Sequence, residues 1–229
     1  MIVPMYNEAE SIEVGVGLYL QEIQELRLSF EIILVDDGSQ DDTGVRADKL
    51  AKKHSHIHVI HHKTNLGVGK AMLSGIKKAT GEWVFVDPID RPFHLSDIKS
   101  LLPVLPSCDI LVLARTDRRA NSIVRKLTSI VNYLLIRLLF GLPLKDFQFI
   151  QFYRRNLVSY IPVMSTDTFV PPELLIRLHK KGARIKEVRG VFHPRRAGSS
   201  KYSSINRYIR TVREMLAFWY ATYILQSVA

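Results

Sequence analysis

Ile32-Ile33-Leu34-Val35-Asp36-Asp37-Gly38-Ser39 is an unbroken apolar run that stops on two acids and a turn. A second run, Trp83-Val84-Phe85-Val86, stops on Asp87, and Asp90 follows shortly after. Apolar runs of this length, bounded by glycine and polar turns, read as strands buried on both faces, the pattern of a parallel sheet. Open α/β sheets take their ligands beyond the carboxyl ends of their strands, which is where both sets of acids fall. The two runs predict a fold and a place on it: a nucleotide and cation site at one sheet edge.

Working outward, a strand entering Pro4-Met5-Tyr6-Asn7 precedes a helix from about Ala9 to Leu26, whose acids Glu8, Glu10 and Glu13 suit a positive helix start. After the Asp36 strand come the turn Gly38–Asp42, a helix to about Lys53 and a third strand over Ile57–Ile60. A helix carrying Ala71, Leu73, Ile76 and Ala79 then leads to the Trp83 strand. This alternation predicts a mainly parallel, Rossmann-like sheet flanked by helices. The second half is less regular. It reads as a strand over Asp109–Ala114, a long helix from about Ala120 to Phe140 and a strand around Phe147–Tyr153. A helix over Pro172–Lys181 and a strand near Arg184–Val188 follow. The end, Ser204 to Ser227, reads as an amphipathic helix with Arg207, Arg210 and Arg213 at three-residue spacing beside Tyr208, Met215, Phe218, Trp219 and Ile224.

The chain has 229 residues, enough for one large α/β domain, and its 47% hydrophobic and 24% charged residues exclude a disordered chain. Residues 1–204 are expected to form the catalytic domain, with 205–229 as a terminal helix that either packs on the core or lies in a membrane interface. The net charge is +10, concentrated in the second half, which suits polyphosphate or an anionic membrane surface. No zinc-finger, homeodomain or aromatic RNA-binding pattern supplies base reading, so no nucleic-acid partner is expected. Cys108 is the single cysteine, which excludes an internal disulfide and fits a reducing compartment. No signal peptide is read at Met1, and the most lipid-like stretches, Ile130–Leu144 and Met215–Leu225, fall short of the roughly 20 residues of a spanning helix.

Asp36 and Asp37 can accept hydrogen bonds from a base, a ribose or the adjacent turn amides, so ligand binding and an Asx-type turn both remain open. Asp87 and Asp90 follow a buried strand, where neighbouring carboxylates need relief from a cation, a proton or a basic group; Mg²⁺ or Mn²⁺ on a diphosphate supplies it, and a solvated acidic loop is the alternative. Asn65-Leu66-Gly67-Val68-Gly69-Lys70 lacks the spacing of a phosphate loop, and its glycines read better as a tight strand-to-helix turn. Phe192–Lys201 combines guanidinium groups, hydroxyls and a lysine suited to phosphate, or forms a plain basic loop. His54, His56, His58, His61 and His62 lack the ligand set of a zinc site and are left outside the site.

Taken in order, Val3-Pro4-Met5-Tyr6-Asn7-Glu8, Val35–Ser39 with Asp42-Thr43, Asn65–Ala71, Gly75 and Ala79–Glu82 resemble the inverting family 2 glycosyltransferases. Arg195–Lys201 is similar to the Arg-x-x-Gly-x-Ser-Lys segment of the dolichyl-phosphate mannose synthase and bacterial polyprenyl-phosphate glycosyltransferase branch. The resemblance runs from Met1 to about Ser204. It implies a glycosyltransferase A-type fold and inverting transfer of a hexose from a nucleotide diphosphate sugar, of GDP-mannose or UDP-glucose type, to a polyprenyl phosphate. It places such a protein at the cytoplasmic membrane face.

The resemblance further implies nucleotide-sugar binding by Pro4, Tyr6, Glu8, Asp37, Asp87 and Arg115. Asp87 and Asp90 hold Mg²⁺ or Mn²⁺, and Asp146 orients the acceptor or assists its deprotonation. Arg115, Arg195, Ser200 and Lys201 bind phosphate. The chain departs from the family's Asp-x-Asp by one inserted residue, Asp87-Pro88-Ile89-Asp90, and from its Ser-Gly-Phe pattern at Phe147–Phe152. These departures leave two alternatives open: a catalytically impaired nucleotide-sugar-binding or scaffold protein of the same fold, and a transferase with a polysaccharide acceptor.

Overall fold

The computed structural model describes residues 1–90, 93–115, 123–147, 149–190 and 205–226. The first half alternates as expected: β1 Ile2–Met5, α1 Ile12–Leu26, β2 Ile32–Asp36, α2 Thr43–Lys53, β3 Ile57–His61, α3 Val68–Lys78 and β4 Trp83–Val84. A turn of helix, α4 Ile98–Leu101, leads to β5 Ile110–Arg115 and the long α5 Ile123–Phe140. Then come β6 Gln151–Arg154, α6 Arg155–Val158, α7 Val170–Lys180, β7 Ile185–Gly190 and α8 Ile205–Tyr223.

β1, β2 and β3 pair in parallel in the order β1-β2-β3, with Met5 beside Asp36 and Asp36 beside His61. A second group runs β4-β6-β5-β7, in which β5 and β7 are parallel while β6 is antiparallel to both β4 and β5. The groups join because the segment after β4 changes partners. Trp83 and Val84 pair with β6, whereas Val86 bridges Ile2 in parallel, with Ile2 N–H donating to the Phe85 carbonyl at 2.9 Å and Asp87 N–H to the Ile2 carbonyl at 3.1 Å. The expected strand through Asp87 is therefore one extended segment shared by two neighbours.

Alternation along the strands feeds two cores. Ile2, Ile33, Val35, Ile110 and Val112 pack under α3, α5, α7 and α8, while Val3, Ile32, Leu34, Leu111 and Leu113 face α1, α2 and α4. α8 contributes Met215 and Phe218 to the first core, where Phe218 stacks on Phe140 of α5 at 5.5 Å.

Several boundaries differ from expectation. α1 starts at Ile12, not Ala9, because the Glu8 carbonyl takes the Ser11 and Ile12 amides in a preceding turn. β6 starts at Gln151; Phe147 is buried outside the ladder, whereas the Ile150 carbonyl still accepts the Leu113 amide at 2.9 Å. The terminal helix ends at Tyr223, and the Ile224 and Leu225 amides close on the Tyr220 carbonyl at 2.9 and 3.1 Å.

Candidate active site

The topology gathers the carboxyl ends of β1, β2, the segment after β4, β5 and β7 along one sheet edge. β6, being antiparallel, contributes its start there. Along that edge lie His61 and His62, Asp36 and Asp37, then Tyr6 to Glu8, then Asp87, and beyond β6 the pair Arg115 and Asp146. The register sets Asp87 level with Val3, two residues below the Met5–Asp36 rung. At the usual strand rise that is a recess of roughly 7 Å, with the Asp36 and Asp87 backbones about 10 Å apart across β1.

Asp37 is buried, and its carboxylate is tied to the loop that opens α3. Oδ1 accepts the Leu66 amide at 2.9 Å and lies 2.7 Å from His62 Nδ1, while Oδ2 accepts the Gly67 amide at 2.8 Å. Asp36 accepts the Ser39 amide at 3.1 Å and meets His61 Nδ1 at 3.2 Å. The adjacent-turn role that the sequence left open describes Asp36, whereas Asp37 ties its strand to the distant Leu66–Gly67 loop. Pro4 is buried in β1, and Tyr6 and Glu8 sit half-buried just beyond it. That loop is stapled to the one after β2: Asn7 N–H donates to Ser39 Oγ at 2.9 Å and Glu8 N–H to Thr43 Oγ1 at 2.7 Å.

Asp87 is fully buried, and the Tyr19 hydroxyl of α1 donates to its Oδ2 at 2.7 Å. Asp90 follows in the turn that begins at Ile89. The two acids offer hard carboxylate oxygens, a donor chemistry that fits Mg²⁺ or Mn²⁺; among the described residues no group of three acids, histidines or cysteines is clustered to hold a metal.

Arg115 and Asp146 meet side-on. Nε stands 2.7 Å from Oδ2 and Nη2 3.2 Å from Oδ1, with the guanidinium 5.8 Å from the centre of the Phe149 ring. Glu187 of β7 braces the acid's backbone by accepting the Lys145 and Asp146 amides at 2.6 and 3.2 Å.

Sequence reasoning brings Pro4, Tyr6, Glu8, Asp37, Asp87, Asp90, Arg115 and Asp146 to this edge; Arg195, Ser200 and Lys201 lie outside the described residues. It leaves out Tyr19, His61 and His62. His62 links Asp37 to Ser74 through Nε2 at 2.9 Å, and His61 Nε2 reaches Asp48 at 3.1 Å. Their position at the end of the strand beside Asp36 is the one signal that could have marked them. Burial pulls the His61 imidazole down, but its hydrogen bonds to Asp48 and Asp36 outweigh this and raise its pKa above the ordinary 6.5.

The glycines of the 65–70 stretch serve close packing. Gly67 has φ +95°, and a Cβ on Gly69 would stand 2.4 Å from Val170 Cγ2 and 2.5 Å from the Asp167 carbonyl oxygen. A depression of about 420 Å³ lined by Asp109, Tyr160, Lys181 and Ala183 opens at the opposite sheet edge and holds none of the site residues.

The family described as glycosyl transferase family 2 matches residues 1–140. A dodecaprenyl-phosphate galacturonate synthase of Rhizobium johnstonii is 29% identical over 95% of this chain and 65% of its own length. An undecaprenyl-phosphate 4-deoxy-4-formamido-L-arabinose transferase of Pectobacterium carotovorum is 28% identical over 89% of this chain and 62% of its own. The chain thus spans somewhat less than two thirds of these relatives. An undecaprenyl-phosphate mannosyltransferase of Micrococcus luteus is 28% identical over 88% of this chain and 86% of its own. Among solved structures, glucosyl-3-phosphoglycerate synthase of Mycobacterium tuberculosis with Mn²⁺, UDP-glucose and phosphoglyceric acid superposes with a TM-score of 0.70, at 20% identity over 95% of this chain and 78% of that one. That likeness establishes a shared fold.

Proposed function

Because the chain belongs to glycosyl transferase family 2, we propose that it moves a hexose from a nucleotide diphosphate sugar to a polyprenyl phosphate, with inversion. The observation that carries this reading is the convergence of Asp37, Asp87 and the Arg115–Asp146 pair on one sheet edge. The names of the relatives from Rhizobium, Pectobacterium and Micrococcus support the polyprenyl phosphate acceptor.

In this reading the acceptor phosphate attacks the anomeric carbon as the nucleotide diphosphate departs from the opposite face. A phosphate monoester is anionic near neutral pH, so positioning and charge stabilisation matter more than a strong base. The loop Tyr6–Glu8 and the edge at Asp37 hold the nucleoside, and Asp87 with Asp90 hold Mg²⁺ or Mn²⁺. The cation, when bound, neutralises charge growing on the leaving diphosphate. Arg115 turns its guanidinium to phosphate oxygens while Asp146 fixes its orientation. Arg195, Ser200 and Lys201 complete the phosphate clamp.

The acceptor's lipid places the protein at the cytoplasmic membrane face, with 1–204 as the catalytic part. α5 supports this with outward Ile130, Val131, Leu134 and Leu138, the last 81% exposed, and no acid along its length. α8 adds outward Leu216 and Tyr220 beside exposed Arg210 and Arg213. Among the described residues no helix is long and apolar enough to cross a membrane.

Radiolabelled GDP-mannose and UDP-glucose, incubated with polyprenyl phosphate and Mg²⁺, Mn²⁺ or chelator, test the reading. A sugar-labelled lipid that forms only with metal, and is lost in Asp87→Asn, supports it. Donor binding with neither transfer nor donor hydrolysis favours the impaired binder that the inserted residue suggests.

A further inference from the structure

One stripe of α1, Gly15, Tyr19 and Glu22, runs beneath the Asp87–Asp90 turn and the His94–Leu95 pair, at the i, i+4, i+7 spacing that shares a helix face. Gly15 leaves a notch that Ile89 fills: a Cβ there would stand 2.6 Å from Ile89 Cδ1 and 3.0 Å from its carbonyl oxygen. Tyr19, fully buried, directs its hydroxyl to Asp87 Oδ2 at 2.7 Å and stands 2.9 Å from the Pro88 carbonyl oxygen. Glu22 Oε2 accepts the Leu95 amide at 2.7 Å, and Oε1 lies 3.8 Å from His94 Nδ1.

The Asp87-Pro88-Ile89-Asp90 spacing exceeds Asp-x-Asp by one residue, which adds about 3.5 Å of backbone between the acids. In the structure that length is folded inward: Ile89 is 5% exposed and packs in the core with Ile12, Val16 and Tyr19 of α1. We infer that the Gly15–Tyr19–Glu22 stripe is a positioning device for the acid pair, seating the additional residue in the core and fixing the Asp87 carboxylate so that the longer turn still presents ligands for a divalent cation. The inference rests on the sugar-transfer reading, in which Asp87 and Asp90 hold Mg²⁺ or Mn²⁺. A hydrogen bond to one oxygen of a ligating carboxylate sets its rotation, and loss of such partners weakens metal affinity roughly 10–100-fold.

The test is Mn²⁺ binding, read from the electron paramagnetic resonance of the free ion, with UDP and separately with GDP present. Tyr19→Phe keeps the ring and removes the hydroxyl. It should weaken Mn²⁺ binding roughly 10–100-fold while nucleotide affinity in chelator stays unchanged, a split that general damage to the fold does not produce. Gly15→Ala retains the phenol and should weaken Mn²⁺ binding in the same way, and Gly15→Ala with Ile89→Ala should recover part of it. Mn²⁺ affinity within about twofold of the parent in both Tyr19→Phe and Gly15→Ala overturns the positioning role. Absence of Mn²⁺ uptake by the parent protein with either nucleotide overturns the cation reading itself, a separate outcome.

Discussion

Arg115 and Asp146, at the end of β5 and just before β6, hold each other through two parallel hydrogen bonds of 2.7 and 3.2 Å. The side chains are 20% and 2% exposed, so the pair is largely withdrawn from water. The guanidinium is thus held in a fixed orientation with its charge balanced by the carboxylate.

Removing one partner leaves the other charge stranded. Arg115→Ala should lower the free energy of unfolding by about 3 kcal/mol, the cost of uncovering a buried carboxylate, and the double variant with Asp146→Asn should recover much of it. Urea denaturation of both proteins measures this. Arg115→Lys, which keeps the charge and loses the fork, should still reduce transfer.

His61 makes stability depend on pH near neutrality. Its pKa is raised above 6.5 in the fold, so its contribution is fully present below about 6.5 and is lost as pH rises through the folded value. The stability gap between the parent and His61→Gln should be larger at about pH 5.5 than at about pH 8.5. Urea midpoints at both values decide it.

Far from the site, Arg184 donates hydrogen bonds to Asp109 and pulls its carboxyl down to about 2. Stability from this contact is present above the ordinary 3.8 and disappears as pH falls through about 2. Arg184→Ala should return the Asp109 titration towards 3.8, seen by carboxyl NMR, and leave sugar transfer unchanged because the pair sits at the opposite edge.

The outward face of α5 should bind anionic vesicles. Leu134→Glu with Leu138→Glu places charge on that face without touching the Ile136 and Phe140 side that packs inward. Flotation with phosphatidylglycerol liposomes should show reduced binding, and unchanged flotation removes α5 from the membrane contact.

The strand ends were legible because a buried run must be apolar and must stop where the ligand edge begins, so Asp36, Asp37 and Asp87 announce themselves. β6 was harder: Phe147 is buried outside the ladder while Ile150 still bonds to Leu113, and an apolar string does not distinguish the two. Pairing between strands is a tertiary fact, which is why the His61 and Asp36 neighbours, 25 residues apart, stayed invisible. Tyr19 resembles any core aromatic on an amphipathic helix, and only its hydroxyl's partner separates it from Val16. The hydrogen bond between Arg115 and Asp146 was equally invisible, since a contact across 31 residues leaves no local trace.

The change of partners after β4 joins the two strand groups at one spot. Where Phe85 leaves β6 for β1, the three-stranded and four-stranded portions trade backbone hydrogen bonds through Ile2 and the 85–87 stretch. Local opening of the sheet should therefore be easiest directly beneath Asp87. Deuterium uptake at the Ile2 and Asp87 amides measures that opening, and added nucleotide sugar should slow it.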